Sequence, residues 1–418
     1  MKFKQIMGTI DRARQKGIVF LAGRCSIFLI SLPAIILVRI IRPLICFRFS
    51  PLTTSRIGHL STDTELYLQK RKMAENTFKR TIDIFYCDDS ACNQQLFKMW
   101  KEHLRIWPAA KWLDKVNGLI PGSEPHIITE YSADGTDYEG VLSQTKPILS
   151  FTADEEKLGQ EALSQMGIGP KDHFICFHCR DSQYLKTTFP DQDFSYHDYR
   201  DADINSYHLA LKGLSQKGHF LIRMGKYVER GLDAPCEKVI DYASSSLRSD
   251  FLDIYLSAKC RFFLSCNGGI NAVPRIFRRP VIFLNHVSFE QSPSSSPDYL
   301  ILFKKYWLIP EKRFMTFPEI IKSGVGLFSF THEYKDRGIE LVNNTDEEIR
   351  EVAIEMEQRI SGEWKAQGDD DELQQRFWAL FDGSKYHGVR TTRVGAAFLR
   401  ENQALLGESE ARVEIKIR

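Results

Sequence analysis

The sequence predicts an α/β fold built on parallel sheet, and three observations predict it. Between Phe174 and Asn285, short apolar runs alternate with segments of helical period. Each run ends in a polar or glycine-bearing turn. Phe174-Ile175-Cys176-Phe177 ends in His178-Cys179-Arg180-Asp181, Phe220-Leu221-Ile222 in Arg223-Met224-Gly225, and Arg261-Phe262-Phe263-Leu264 in Ser265-Cys266-Asn267-Gly268-Gly269. The chain, 418 residues long and 43% hydrophobic, also has the length and apolar content for two cored domains. Strands that alternate with helices imply a parallel sheet covered on both faces.

Residues 1–45 form the first segment. Gly17 to Val38 is apolar apart from Arg24, but the uncharged stretch Cys25–Val38 is short and contains Pro33, whereas a spanning helix needs about 20 apolar residues. Lys2, Lys4, Arg12, Arg14 and Lys16 precede it, Arg39, Arg42 and Arg48 follow it, and Asp11 alone is acidic within the first fifty positions. A span would export one basic flank, against the positive-inside rule, and no small-x-small cleavage site follows the run. A membrane-associated segment, in-plane or shallowly re-entrant on the cytoplasmic leaflet, satisfies all three facts, with a true span and a merely buried helix as the other readings.

Residues 46–165 read as the first α/β domain. Cys46–Phe49 is a strand, and Gly58-His59 sits in the turn after it. The chain turns helical from Thr62. Thr81–Tyr86 is the second strand, 93–105 an amphipathic helix, and His126–Tyr131 and Ile148–Phe151 further short strands. Thr152-Ala153-Asp154-Glu155 is a capping box that opens a connecting helix.

Residues 166–330 read as the second domain. Tyr207, Ala210, Leu211 and Leu214 mark a helix, 250–258 another, and Val281–Leu284 a strand ending at Asn285. Thr345-Asp346-Glu347-Glu348 is a second capping box. It precedes the stripe Ile349, Val352, Ala353, Met356 and Ile360, within a C-terminal region of helices and tail at 331–418. The tail after 383 shows no assignable pattern.

In open α/β sheets ligands bind outside the carboxyl ends of the strands. Arg180 and Arg223 at two such ends suit a phosphate group. The Asn267-Gly268-Gly269 turn, and Gly225, let backbone approach a ligand closely. Ser249 and Asp250 open a helix, either as its cap or facing a nucleotide. His178 and Asp181 complete the first strand-end loop. Asp201-Ala202-Asp203 has the Asp-x-Asp form of a metal site, but helix capping and pairing with Arg200 explain it, and no metal is expected. His59 is a candidate general base or a structural loop histidine. Cys176 and Cys179, with Cys46, Cys260 and Cys266, read as reduced thiols in or beside strands. The net charge of +2 argues against a nucleic-acid reader.

The chain resembles bacterial glycosyltransferases linked to surface polysaccharides. The resemblance lies in Arg56-Ile57-Gly58-His59-Leu60, Phe177–Tyr184, Tyr199–Asp203, Ile222–Gly225, Asp241-Tyr242-Ala243, Arg248–Tyr255, and Gly338-Ile339-Glu340 to Asn344-Thr345, across roughly 40–365. More remotely it is similar to fucosyltransferases that use a guanine nucleotide sugar. The likeness implies the GT-B fold, two Rossmann-like domains facing a cleft, and a metal-independent mechanism without a cofactor. It places Arg180 on a diphosphate, Ser249 and Asp250 at the nucleotide, and Asn267-Gly268-Gly269 at the last turn. Cys266-Asn267 departs from the Ser or Thr expected before glycine. The expected activity is transfer of a sugar from a nucleotide-sugar donor to a lipid-linked or oligosaccharide acceptor, at the cytoplasmic face of the inner membrane. A catalytically silent relative serving membrane-bound assembly, and a phosphoglycosyl or phosphotransferase, are the rival readings.

Overall fold

A computed structural model describes residues 18–74, 80–131, 135–233 and 236–407, so the basic positions before Ile18 lie outside the described residues. The chain forms two compact units. One comprises Met1–Arg56 with Tyr67–Asp134, the other Ile57–Leu66 with Gly135–Arg418.

In the first unit, α1 (Ile18–Ile40) lays Leu32, Ile35 and Val38 against Phe49, Tyr86, Ala110 and Val116. Among the described residues no helix is long and apolar enough to cross a membrane. β1 (Cys46–Pro51) precedes α2 (Ile57–Met73), of which the part from Tyr67 onward belongs here. β2 (Thr81–Tyr86) pairs with β1 in parallel, in a register that sets Arg48 directly opposite Asp83. α3 (Gln94–Lys101) is capped by Asn93, whose side chain accepts the Leu96 amide at 2.8 Å, and α4 (Ala110–Asn117) packs beneath α1.

The strand expected at 126–131 is replaced by a 3-10 turn, Glu124–His126, and a single bridge from Ile127 to Phe49. The amides of His126 and Ile127 are spent on the turn carbonyls of Ser123 and Glu124, at 3.0 and 3.2 Å, and are lost to a ladder. A bridge from Ile106 to Phe85 flanks the other side, so the described sheet of this unit is two strands with a bridge at each edge, smaller than a Rossmann domain.

In the second unit, α5 (Ala153–Gln165) begins at the expected capping box, with Thr152 and Glu155 exchanging hydrogen bonds of 3.0 and 3.3 Å. The segment Ile148–Phe151, expected as a strand, is irregular. Then follow β3 (Phe174–His178), α6 (His208–Gln216), β4 (Phe220–Arg223), β5 (Val239–Ile240), α7 (Asp250–Lys259), β6 (Phe263–Ser265), β7 (Val281–His286) and β8 (Tyr299–Phe303). β9 (Lys305–Leu308), β10 (Arg313–Phe314) and β11 (Ile339–Val342) make a small antiparallel sheet in the order β10-β9-β11. After these come α8 (Asp346–Ser361), α9 (Asp370–Ala379), β12 (Arg393–Val394) and a short helix at Ala396–Glu401.

The main sheet is parallel throughout, in the order β12-β8-β7-β6-β3-β4-β5. Its strands read as unbroken apolar runs because both faces are covered. Ile175, Leu221, Phe263, Ile282 and Leu300 are all buried. α8 packs back on this core through Ile349, Val352, Ala353 and Met356, and its Glu357 accepts from Arg261 at 2.7 and 2.9 Å. The expected close of this domain at 330 is therefore too early. β12, in the unassigned tail, is one of the sheet's two edge strands.

The strand order places a topological switch between β3 and β6. From β3 the chain winds one way through β4 and β5, then returns to lay down β6, β7 and β8 on the other side. Crevices outside the carboxyl ends at such points are where open α/β sheets bind ligands.

Candidate active site at the sheet switch point

Two carboxyl ends form the switch. β3 delivers His178 and runs into Cys179-Arg180-Asp181, and β6 runs into Cys266-Asn267-Gly268-Gly269. The first turn of α2 lies against this second loop. A Cβ on Gly269 would stand 3.1 Å from the Gly58 nitrogen and 3.2 Å from Ile57 Cγ2, and one on Gly58 would stand 3.3 Å from Gly269 Cα. Most of these neighbours are backbone, and a Cβ at either position would oblige them to give by a few tenths of an ångström, so two glycines meet in a tight contact. A Cβ on Gly268 would stand 3.0 Å from the His178 ring. The bareness of this turn is thus used first by the protein's own packing.

The same contact brings His59 to the switch point. The structure starts α2 at Ile57 rather than at Thr62, so His59 lies in the first helical turn and belongs to the second unit. Four residues on, one turn along the same face, stands Asp63. His59 Nδ1 and Asp63 Oδ2 are 2.9 Å apart, and Asp63 Oδ1 accepts the Gly135 amide at 2.8 Å. The Asp63 side chain is fully buried, whereas that of His59 is 35% exposed. In the neutral tautomer whose Nδ1–H donates to Asp63, Nε2 is the ring nitrogen left as an acceptor. This is the geometry of an oriented base. Sequence reasoning singled out His59 and passed over Asp63, because the segment read as a turn and an i, i+4 spacing means a contact only within a helix.

The arginines are less open than expected. Arg180 forms an ion pair with Asp201 and donates to the His197 carbonyl at 3.2 Å. Arg223 is buried and donates to the Arg230 carbonyl at 2.9 Å and to Asp241 at 3.4 Å. Asp181 is a loop clamp, accepting the amides of Gln183 at 3.0 Å and Glu229 at 3.1 Å. Beside these groups, at the ends of β3 and β4, lies a cavity of about 360 Å³ lined by Cys179, Asp181, Asp203, Arg223, Glu229 and Arg230. Gly225 follows in the same loop, with space for a Cβ limited by Val228 at 3.0 Å.

The Asp-x-Asp carboxylates face arginines: Asp201 pairs with Arg180 and Asp203 with Arg230 at 2.8 Å. Burial pushes the Asp201 carboxyl up to about 7 against the pull of Arg180. Beneath it Lys304, only 4% exposed, donates to the carbonyls of Tyr199 at 3.0 Å and Asp201 at 2.7 Å. Burial draws its amine down to about 8. Cys179 and Cys266 form a buried pair. The hydrogen bond to Cys266, with burial, holds the Cys179 thiol above its usual range. Burial would raise Cys266 as well, but hydrogen bonds from Cys179, His178 and the Arg180 amide outweigh it and hold Cys266 below the usual thiol range.

Ser249 and Asp250 are not brought into this cluster. Ser249 caps α7, accepting the Leu252 amide at 3.2 Å, and its own amide donates to the Tyr242 hydroxyl at 3.1 Å. Asp250 stands 3.9 Å from Arg248 and 4.0 Å from Lys226.

No family model matches the sequence, and no curated protein matches it. Among solved structures, the chain is similar to a glycosyl transferase family 9 protein from Veillonella parvula DSM 2008, at 9% identity and a TM-score of 0.40, over 62% of this chain and 86% of that one. It is similar to E. coli ADP-heptose lps heptosyltransferase II at 12% identity and a TM-score of 0.34, over 61% of this chain and 90% of that one. E. coli heptosyltransferase WaaC with ADP is similar at 11% identity and a TM-score of 0.31, over 62% and 91%.

Proposed function

We propose that the protein is a glycosyltransferase that uses a nucleotide sugar and that His59 is its general base. The observation that carries this reading is the His59–Asp63 pair seated against the glycine turn at the sheet's switch point. The motifs that resemble surface-polysaccharide glycosyltransferases supply the reaction class. A base with a free Nε2 takes the proton of an acceptor hydroxyl as the sugar–phosphate bond breaks. Asp63 holds the ring and stabilises the imidazolium that forms. The donor occupies the crevice and cavity on either side of the 178–181 loop. There Arg180, released from Asp201 or shared with it, and Arg230, 60% exposed at its side chain, meet the leaving diphosphate. Because Asp201 and Asp203 are engaged by arginines, we expect transfer to survive chelation by EDTA. The acceptor is a lipid-linked saccharide or an oligosaccharide of a surface polysaccharide.

The test is one variant read for binding and turnover separately. His59→Ala should keep nucleotide affinity and lose turnover by about 10²–10⁴. Wild-type turnover in a folded His59→Ala protein would remove the base from the mechanism. A second reading, a catalytically silent relative in membrane-bound assembly, is favoured by one observation: Arg180 and Arg223 both already have carboxylate partners. Nucleotide binding without transfer to any acceptor would select it.

A further inference from the structure

We propose that the outward face of α1 lies flat on an anionic lipid bilayer, with the first unit held to the surface by that face. This inference rests on the helix alone and stands or falls apart from the transferase reading. α1 has two unlike sides. Ser31 and Ile35 are buried and Leu32 and Val38 half-buried against the unit's own core. Arg39 locks this side down, donating to the Asn117 side chain at 2.7 Å and to the carbonyl of Pro121 at 2.7 Å. The other side shows Leu29, Ile30, Ile36, Leu37 and Ile40, from 47% to 75% exposed, and Leu44 follows at 73%. From Leu29 to Ile40 the row is roughly 17 Å long at 1.5 Å per residue, and Pro33 is the one other exposed position within it between Ile30 and Ile36.

A contiguous exposed apolar row of this kind marks an interaction surface. The charge around it selects the occupant. Exposed Arg42 follows the helix, and exposed Lys115 and Leu119 stand beside the loop that Arg39 grips. The first fifty positions carry Lys2, Lys4, Arg12, Arg14, Lys16, Arg24 and Arg42 against Asp11, besides Arg39 and Arg48, which are committed within the unit. Two copies meeting through this face would bring like charges together, whereas an anionic headgroup layer satisfies the basic rim and its acyl boundary takes the apolar row. With one side committed to the core, the helix is bound to lie in the plane rather than thread through it.

The experiment is sedimentation of the full chain with vesicles of phosphatidylglycerol and phosphatidylethanolamine, against vesicles of phosphatidylcholine. Wild type should partition onto the anionic vesicles, less so onto the neutral ones and less at high salt. Ile30→Glu with Leu37→Glu should lower partition at least tenfold while the unfolding temperature holds. Should that double variant unfold, Ile30→Gln at the most exposed position reads the same partition. Equal partition of wild type and variant overturns the proposal. So does a wild type that ignores vesicles but forms a dimer that the variant dissociates, which would assign the face to a second copy.

Discussion

His59 was legible in the sequence as a histidine after the first strand, but its partner was not. The turn-like Thr53-Thr54-Ser55 and Gly58 suggested a loop, and a loop gives no periodicity to connect 59 with 63. In the structure the helix already begins at Ile57, where Gly58 packs against Gly269, and the i, i+4 pair follows from that helix. Asp63 acts through His59. Asp63→Asn should therefore lower turnover and alter its pH profile while nucleotide affinity stays unchanged. A variant that loses only stability would make the pair structural. The glycine contact can be tested on the fold directly. Gly269→Ala places a Cβ 3.1 Å from the Gly58 nitrogen and should cost about 1–3 kcal/mol, measured by urea unfolding. An unchanged midpoint would mean that the loop relaxes freely and that the site is not built on this contact. The reading of Arg180 and Arg223 as phosphate ligands came from residue type and strand-end position. Asp201 and Asp241 were visible as motif residues, but they stand 21 and 18 residues from their arginines and no local periodicity pairs them.

The elements themselves were largely legible, because local chemistry specifies them. The capping boxes at Thr152 and Thr345 both form, and β2 runs over the expected residues. Short strands with partners far along the chain were not legible: β12 is two residues long and pairs with β8. The β1–β2 pair shows register becoming energy. It sets Arg48 opposite Asp83, and Asp83 collects Arg48 at 2.7 and 2.8 Å, the Tyr67 hydroxyl at 2.5 Å and Arg71. Arg48 also reaches Glu130 at 2.8 Å. With Asp83 3% exposed, Asp83→Ala leaves a buried guanidinium without its main partner and should destabilise by about 3–5 kcal/mol. Calorimetry of the purified protein checks this, and a loss below 1 kcal/mol would show that water reaches the cluster. Gly159, on α5, has Tyr255 of α7 so close that a Cβ would stand 2.1 Å from its ring. This is a packing constraint between two helices that helical periodicity could not reveal.

At the scale of the whole molecule the sequence predicted a parallel α/β protein, and the structure is one. Strand order was the missing quantity, since alternation of strands and helices does not say on which side of β3 each new strand is laid. With the order known, the switch point, the glycine turn and His59 fall together. The fold also carries a pH dependence through α8. Burial alone would raise the Glu357 carboxyl, but hydrogen bonds from His219 and Arg261 outweigh it and bring it from 4.5 to about 2. A carboxyl lowered on folding adds stability above its unfolded value, and that stability is lost as pH falls through the folded one. Glu357→Gln should flatten the fall in unfolding free energy between about pH 4.5 and 2, and an unaltered slope would assign that fall to other carboxylates. The central claim is that the switch-point site receives a nucleotide sugar, and thermal unfolding of the full-length protein across a panel of nucleotide sugars tests it most directly. At a ligand concentration of about 100 times Kd the native state gains about 2.7 kcal/mol, enough to raise the transition visibly. The account predicts such a rise for at least one nucleotide sugar, retained in His59→Ala; a transition unmoved by every member of the panel at millimolar concentration would contradict it.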